Sequence, residues 1–124
     1  MKLWRPNRKY AARRALAGAV FSACALIALP PPAFATSFTC TAQGVAVFPG
    51  SRIHIRCNPG FEREITFFAL SVLSPDADRV LKFAATALEA GRPLEILFDF
   101  SDTSGAAIGC LNADCRLILG IELR

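Results

Sequence analysis

The sequence is poor in the residues that carry chemistry. Among its 124 residues there is one His, one Trp, one Tyr and one Met. No GxSxG and no HExxH pattern occurs, so neither a nucleophile elbow nor a zinc-protease helix is encoded. No CxxC occurs, which removes thioredoxin-type redox chemistry. The one long uncharged apolar run, Ala15 to Leu29, falls short of the roughly 20 residues that a membrane span needs. No repeat, linker or low-complexity segment interrupts the rest of the chain.

That apolar run belongs to an export signal. Lys2, Arg5, Arg8, Lys9, Arg13 and Arg14 form a basic start, and Ala33-Phe34-Ala35 fits a small-x-small cleavage site. The residues flanking Arg13-Arg14 do not fit a twin-arginine signal. Cys24 in "FSAC" raises lipidation, but Phe21 is a poor residue for that signal. Residues 1–35 therefore read as a signal peptide and residues 36–124 as one small domain, exported to the periplasm or beyond. Removing 35 of the 124 residues leaves 89, and it also removes Met1, Trp4 and Tyr10. The leader holds 6 of the 14 Lys+Arg and none of the 10 Asp+Glu, so 8 basic residues face 10 acidic ones and the net charge is −2. The whole-chain pI near 9.0 is thus a property of the leader. A nucleic-acid partner, which calls for a basic domain, loses its support.

A domain this small gains little stability from its core alone. Cys40, Cys57, Cys110 and Cys115 supply help, because an even count in a short exported chain reads as two disulfides, with three possible pairings. Zinc is the competing reading. Structural zinc sites usually present two pairs of ligands two to four residues apart, and this spacing does not match.

The periodicities predict a mainly β domain with one α-helix. "VAVFPGSRIHIRC" reads as a hairpin turning at Pro49-Gly50-Ser51. Ile53, Ile55 and Cys57 face one side, and Arg52, His54 and Arg56 the other. Asn58 to Gly60 reads as the end of that strand, and a disulfide between Cys40 and Cys57 would pin its register. Glu64 to Leu73 is apolar on both faces, so a helix or another subunit is expected to cover the second. In "SPDADRVLKFAATALEAG", Ser74 is placed to cap, Pro75 to open and Gly91 to stop a helix. Its apolar face is wide and alanine-rich. Leu94 to Phe100 alternates, "SDTSG" is a loop and "AAIGC" a short strand. In "CRLILGIEL", Leu117, Leu119, Ile121 and Leu123 are expected inward, with Arg116, Ile118, Gly120 and Glu122 outward.

Candidate sites are few. Arg52, His54 and Arg56 share a strand face and form a possible ligand face for an anion. A catalytic base needs a nucleophile and an orienting partner, and none is evident for His54, so no enzyme is expected. Asp99, Asp102, Thr103 and Ser104 lack the regular oxygen spacing and closing Glu of a calcium loop, and read as a polar turn. No metal or cofactor is expected. Sugar sites commonly use Trp or Tyr, which residues 36–124 lack.

The cysteine spacing and element order resemble the OB-fold B subunits of pertussis-like toxins, those of typhoid toxin and subtilase cytotoxin among them. They are also similar to small exported bacterial proteins of uncharacterised role. The resemblance is carried by Cys40 and Cys57 on a hairpin, by "ALEAGRPLEILF", and by Cys110 and Cys115 in "GCLNADC". It implies a small OB-fold-like β-barrel stapled by Cys40–Cys57 and Cys110–Cys115. It further implies a non-enzymatic binding or assembly module, self-associating or bound to a partner protein, with glycan binding as the alternative. Two departures stand out. Those subunits carry a strand before the first cysteine, with a serine central to glycan binding, whereas only Thr36, Ser37, Phe38 and Thr39 separate the cleavage site from Cys40. No glycan-binding residue therefore carries over. The apolar strand after Cys115 is not shared either.

Overall fold

The computed structural model describes residues 35–124. The signal-peptide reading, including Cys24 and Arg13-Arg14, lies outside the described residues apart from Ala35. In chain order the elements are β1 (Thr36–Cys40), β2 (Ala42–Phe48), β3 (Arg52–Phe61), β4 (Ile65–Ser71), α1 (Ala77–Ala90), β5 (Leu94–Phe98), a 3-10 turn (Ser104–Ile108), β6 (Cys115–Leu117) and β7 (Gly120–Leu123). The domain is thus mainly β with one α-helix. One sheet has the order β1-β5-β7 and the other β2-β3-β4-β6. All pairings are antiparallel except β4 with β6.

The β2–β3 hairpin forms where the turn signal sits. Ser51 N donates to Phe48 O at 3.0 Å, and Gly50 takes φ +71°, a left-handed conformation that glycine adopts without a Cβ clash. Two details differ from expectation. Asn58 to Gly60 do not end β3, which runs on to Phe61 through a register shift after Arg56. The residues before Cys40 do form a strand, β1, and it pairs with β5 rather than with β3. The Cys40–Cys57 disulfide therefore joins strands of different sheets.

The helix ends as expected. Gly91 lies at φ +64°, and its N–H donates to Ala87 O. Its start is later than Ser74 and Pro75 suggested. Ala77 opens it, Asp76 occupies the cap position without a side-chain bond, and Ser74 Oγ accepts from Asp76 N at 3.3 Å. Three of the four buried helix residues, Ala77, Val80, Ala84 and Ala87, are alanine, so the backbone approaches the sheets closely. Phe68, Phe98, Ile55, Ile65, Leu94 and Ile96 fill the core with the Cys40–Cys57 pair. Phe68 meets Phe98 with ring centroids 5.0 Å apart and Phe38 at 5.7 Å. Burying each such side chain contributes about 1.5–3 kcal/mol.

The C-terminal third corrects three expectations. "AAIGC" is not a strand: Ser104–Ile108 forms the 3-10 turn, with Gly109 at φ +84° closing it. The long strand after Cys115 breaks at Ile118 and Leu119 into β6 and β7. The inward set holds for β7, where Ile121 and Leu123 pack on the core, but inverts in β6. Arg116 and Ile118 are buried, Leu117 packs beside Ala69 on the outer face, and Leu119 is 58% exposed. Arg116 is satisfied by main-chain carbonyls: Nε donates to Phe100 O at 2.6 Å, and Nη1 to Asn112 O and Cys115 O at 2.7 Å each. Within this chain the second face of β4 is not covered by the helix. Phe67 and Ala69 pack against Cys110, Cys115 and Leu117, so the small disulfide loop is its lid.

Candidate functional site

The outer face of the four-stranded sheet is a grid that strand register dictates, since directly paired residues project to the same side. On β2, Gly44, Ala46 and Phe48 stand opposite Arg56, His54 and Arg52 of β3. On β4, Phe67, Ala69 and Ser71 stand opposite the same three residues. Cys115 and Leu117 of β6 then pair with Phe67 and Ala69. The disulfide loop closes the β4–β6 half of this face. The β2–β3 half stays open as a cavity of about 420 Å³, lined by Gly44, Val45, Ala46, Phe48, Arg52, His54, Arg56 and Phe67.

The three residues that alternation singled out thus share one cavity, each in a different setting. Arg52 is held by one ring and one carbonyl. Its guanidinium carbon lies 4.0 Å from the centre of the Phe48 ring, a cation–π contact. Its Nη1 donates to Ile108 O at 3.0 Å, an oxygen that also accepts from Ser51 Oγ at 2.8 Å. Its Nε is buried without a partner. Arg56 is exposed at the rim, and Gly44 opposite it leaves room: a Cβ there would lie 4.0 Å from Arg56 Nε.

His54 is partly buried although both its neighbours on this strand face are arginines. Its ring stacks on Phe67 at 4.6 Å and 25°, and meets the Phe48 ring edgewise at 5.9 Å. Nε2 lies 3.5 Å from Cys115 Sγ, a sulfur already committed to a disulfide. Burial, and then the charge of Arg52, hold its pKa below the usual 6.5, while Asp114 in the disulfide loop pulls the other way. His54 is therefore neutral near pH 7.

Sequence reasoning missed the aromatic and main-chain half of the site. Phe48 and Gly44 follow from the hairpin register once the turn is fixed. Phe67, Ile108 and Gly109 reach the site through tertiary packing and left no local signal. All four described cysteines are disulfide-bonded, so no thiolate is free to bind zinc. Among the described residues no group of His, Cys, Asp and Glu is arranged to hold a metal ion. Asp99 and Asp102 accept from Ser101 N at 2.9 Å and Ser104 N at 2.8 Å, the bonding of a polar turn. The hydrogen bonds from Ser104 lower the Asp102 pKa.

Two further depressions flank the domain. One of about 440 Å³ lies over β5 and β7, lined by Ser37, Glu95, Leu97, Gly120, Ile121, Glu122 and Arg124. There Ser37 and Thr39 donate to the Glu95 carboxylate. A groove of about 310 Å³ beside α1 includes Phe83, Leu119 and Ile121. No described helix is long and apolar enough to cross a membrane. Compared with protein-family models, characterised proteins and solved structures, the chain matches none.

Proposed function

We propose that this chain is an exported, non-enzymatic binding module built on an OB-like barrel, with the Arg52–His54–Arg56 cavity as its ligand face. The barrel reading draws on the corners of the two sheets. Thr41 alone separates β1 from β2, and Ile118 and Leu119 alone separate β6 from β7. The structure has two sheets; counted as two bent strands, these segments would link them into five strands in the cyclic order β1β2, β3, β4, β6β7, β5. Hydrogen bonding continues through both bends. Thr41 O accepts from Asn58 N at 3.1 Å, while Ile118 N donates to Ala69 O and Leu119 N to Leu97 O, both at 2.8 Å. OB barrels bind ligands on the outer face of their second and third strands; in this count the cavity lies over the first and second, with Phe67 contributed by the third.

The observation that carries the binding reading is the convergence of Arg52, His54, Arg56, Phe48 and Phe67 on one cavity. The reading is non-enzymatic because the hydrogen-bond-range partner of His54 is a disulfide sulfur rather than a nucleophile or a carboxylate. Export is supported by two disulfides in a small domain behind a signal-like N-terminus. The test is a protein-observed NMR screen with chemically diverse fragments on the isotope-labelled chain. Hits should cluster on this face. A scatter of weak hits, or clustering in the groove beside α1, overturns the reading.

Two partner readings remain tied to particular features. Self-association would use the apolar surface that the domain leaves open after β6, where Leu119 is exposed beside Phe83. A clean monomer at micromolar concentration by size-exclusion light scattering removes it. A toxin-like glycan-binding B subunit gains from β1, which is present after all and sets the Ser37 and Thr39 hydroxyls beside Glu95. Silence on a glycan array removes that one.

A further inference from the structure

We infer that the cavity over β2 and β3 takes a compact oxyanion carried on an apolar body. Arg52 and Arg56 hold the acid group, and Phe48, Ala46 and Phe67 offer a surface to the body. The inference rests on the reading of this face as the ligand surface and names the chemistry that it selects.

Charge is the first argument. The cavity lining contains two arginines and no carboxylate, although residues 36–124 carry a net negative charge. Among the described residues the salt bridges are Arg79–Asp76 and Arg124–Glu95, so neither arginine of the cavity is neutralised. Outside the cavity, residues 36–124 hold 6 basic and 10 acidic residues, a balance that favours a compact anion over a nucleic acid.

Preorganisation is the second. Stacking on Phe48 and the bond to Ile108 O already fix Arg52, so little side-chain freedom is left to lose when an anion arrives. Its planar guanidinium keeps donors beyond the one that Ile108 occupies, and such groups pair with carboxylate or phosphate by charge-assisted bonds.

Shape is the third. The cavity volume of about 420 Å³ falls among the roughly 300–1,000 Å³ of small-ligand sites, and aromatic and small residues line most of it. A bare inorganic ion would leave that apolar wall unused.

His54 makes the binding pH-dependent. The charged groups facing it are Arg52 and Arg56 from its own strand and Asp114 from the disulfide loop; β2 and β4 present only Gly44, Ala46, Phe48, Phe67 and Ala69. In the empty cavity the ring is neutral near pH 7. A bound oxyanion favours its protonated form, so by linkage affinity rises as pH falls toward the lowered pKa of the ring.

The experiment uses the full chain, expressed with its own N-terminal segment and purified with its disulfides intact. Octanoate, octyl phosphate, octanol and inorganic phosphate are titrated while backbone amides and the His54 ring are followed by NMR. Octanoate or octyl phosphate should saturate the signals of this face about tenfold more tightly than octanol or inorganic phosphate. Whichever binds more tightly identifies the acid as carboxylate or phosphate. Arg56→Gln, at an exposed position, should weaken that binding about tenfold at an unchanged melting temperature. Octanol binding as well as octanoate overturns the inference, as does silence from every probe. If neutral fragments still cluster on the face in the broader screen, the ligand face stands and only its acid selectivity falls.

Discussion

Arg52 and Gly109 meet so closely that a Cβ on residue 109 would lie 2.5 Å from Arg52 Nη1. The glycine is also at φ +84°, so it serves both the backbone and the seat of the arginine. Gly50 is the natural control, at φ +71° with nothing within 4 Å of its would-be Cβ. Gly50→Ala should cost only left-handed strain, about 1–2 kcal/mol. Gly109→Ala should cost more, because it adds the clash and breaks the Arg52 bond to Ile108 O. Urea denaturation of the two variants reads the difference, and equal losses would mean that Arg52 is not seated against this loop.

His54 gives stability a pH dependence of known sign. Its folded pKa lies below 6.5 because burial and Arg52 disfavour the imidazolium. The unfolded chain therefore binds the proton first, and stability rises with pH across the window between the two pKa values. The contribution is fully present above about 6.5 and is lost as pH falls through the folded value. The difference in denaturation midpoint between wild type and His54→Gln should shift in wild type's disfavour as pH falls from 7.5 to 5. Taking the difference cancels the carboxylates, including Asp102. An NMR titration of the ring that gives 6.5 or above refutes the burial argument.

The sequence made some of this legible and hid the rest for a physical reason. Alternation fixed which residues of β3 share a face, so Arg52, His54 and Arg56 were grouped correctly. Pro49-Gly50-Ser51 and Gly91 marked a turn and a helix end because their backbone demands are local. Alternation gives two faces without saying what lies over each. The rule that apolar residues point to the core failed at Leu117, since the disulfide loop makes a second, smaller apolar site outside the sheet, over the face of β4 that carries Phe67. For the same reason Arg116 was assigned outward. It is buried because three carbonyls from Phe100, Asn112 and Cys115 converge on it, a coincidence of tertiary structure with no sequence signature.

Arg116 should be sensitive to loss of charge even when its volume is kept. Arg116→Met retains an unbranched apolar stem but leaves the three carbonyls without their donor. Unpaired buried acceptors cost about 1–3 kcal/mol each, less where water reaches them. A loss of about 2 kcal/mol or more is expected by chemical denaturation. A variant as stable as wild type would mean that those carbonyls are hydrated and that the arginine is dispensable.

The two disulfides should separate global stability from order around the Arg52–His54–Arg56 cavity. Cys40–Cys57 spans a sequence separation of 17 and Cys110–Cys115 one of 5. Loop-closure entropy then assigns about 3 kcal/mol to the first and about 2 kcal/mol to the second. Position widens the gap, because Cys40 and Cys57 sit wholly buried in the main core between the sheets, while Cys110 and Cys115 belong to the outer cluster. Replacing Cys40 and Cys57 together by alanine should therefore lower the midpoint more than replacing Cys110 and Cys115. The second replacement should act on the Arg52–His54–Arg56 cavity instead. It frees the loop whose Ile108 carbonyl holds Ser51 and Arg52, and whose Cys115 and Asp114 neighbour His54. Its marker is local: faster amide exchange at residues 105–115 and a His54 pKa that moves back toward 6.5 as water enters, with the β1, β5 and α1 amides unchanged. Equal exchange throughout the domain would show that this loop is part of the core's cooperative unit rather than a separate cover over the sheet.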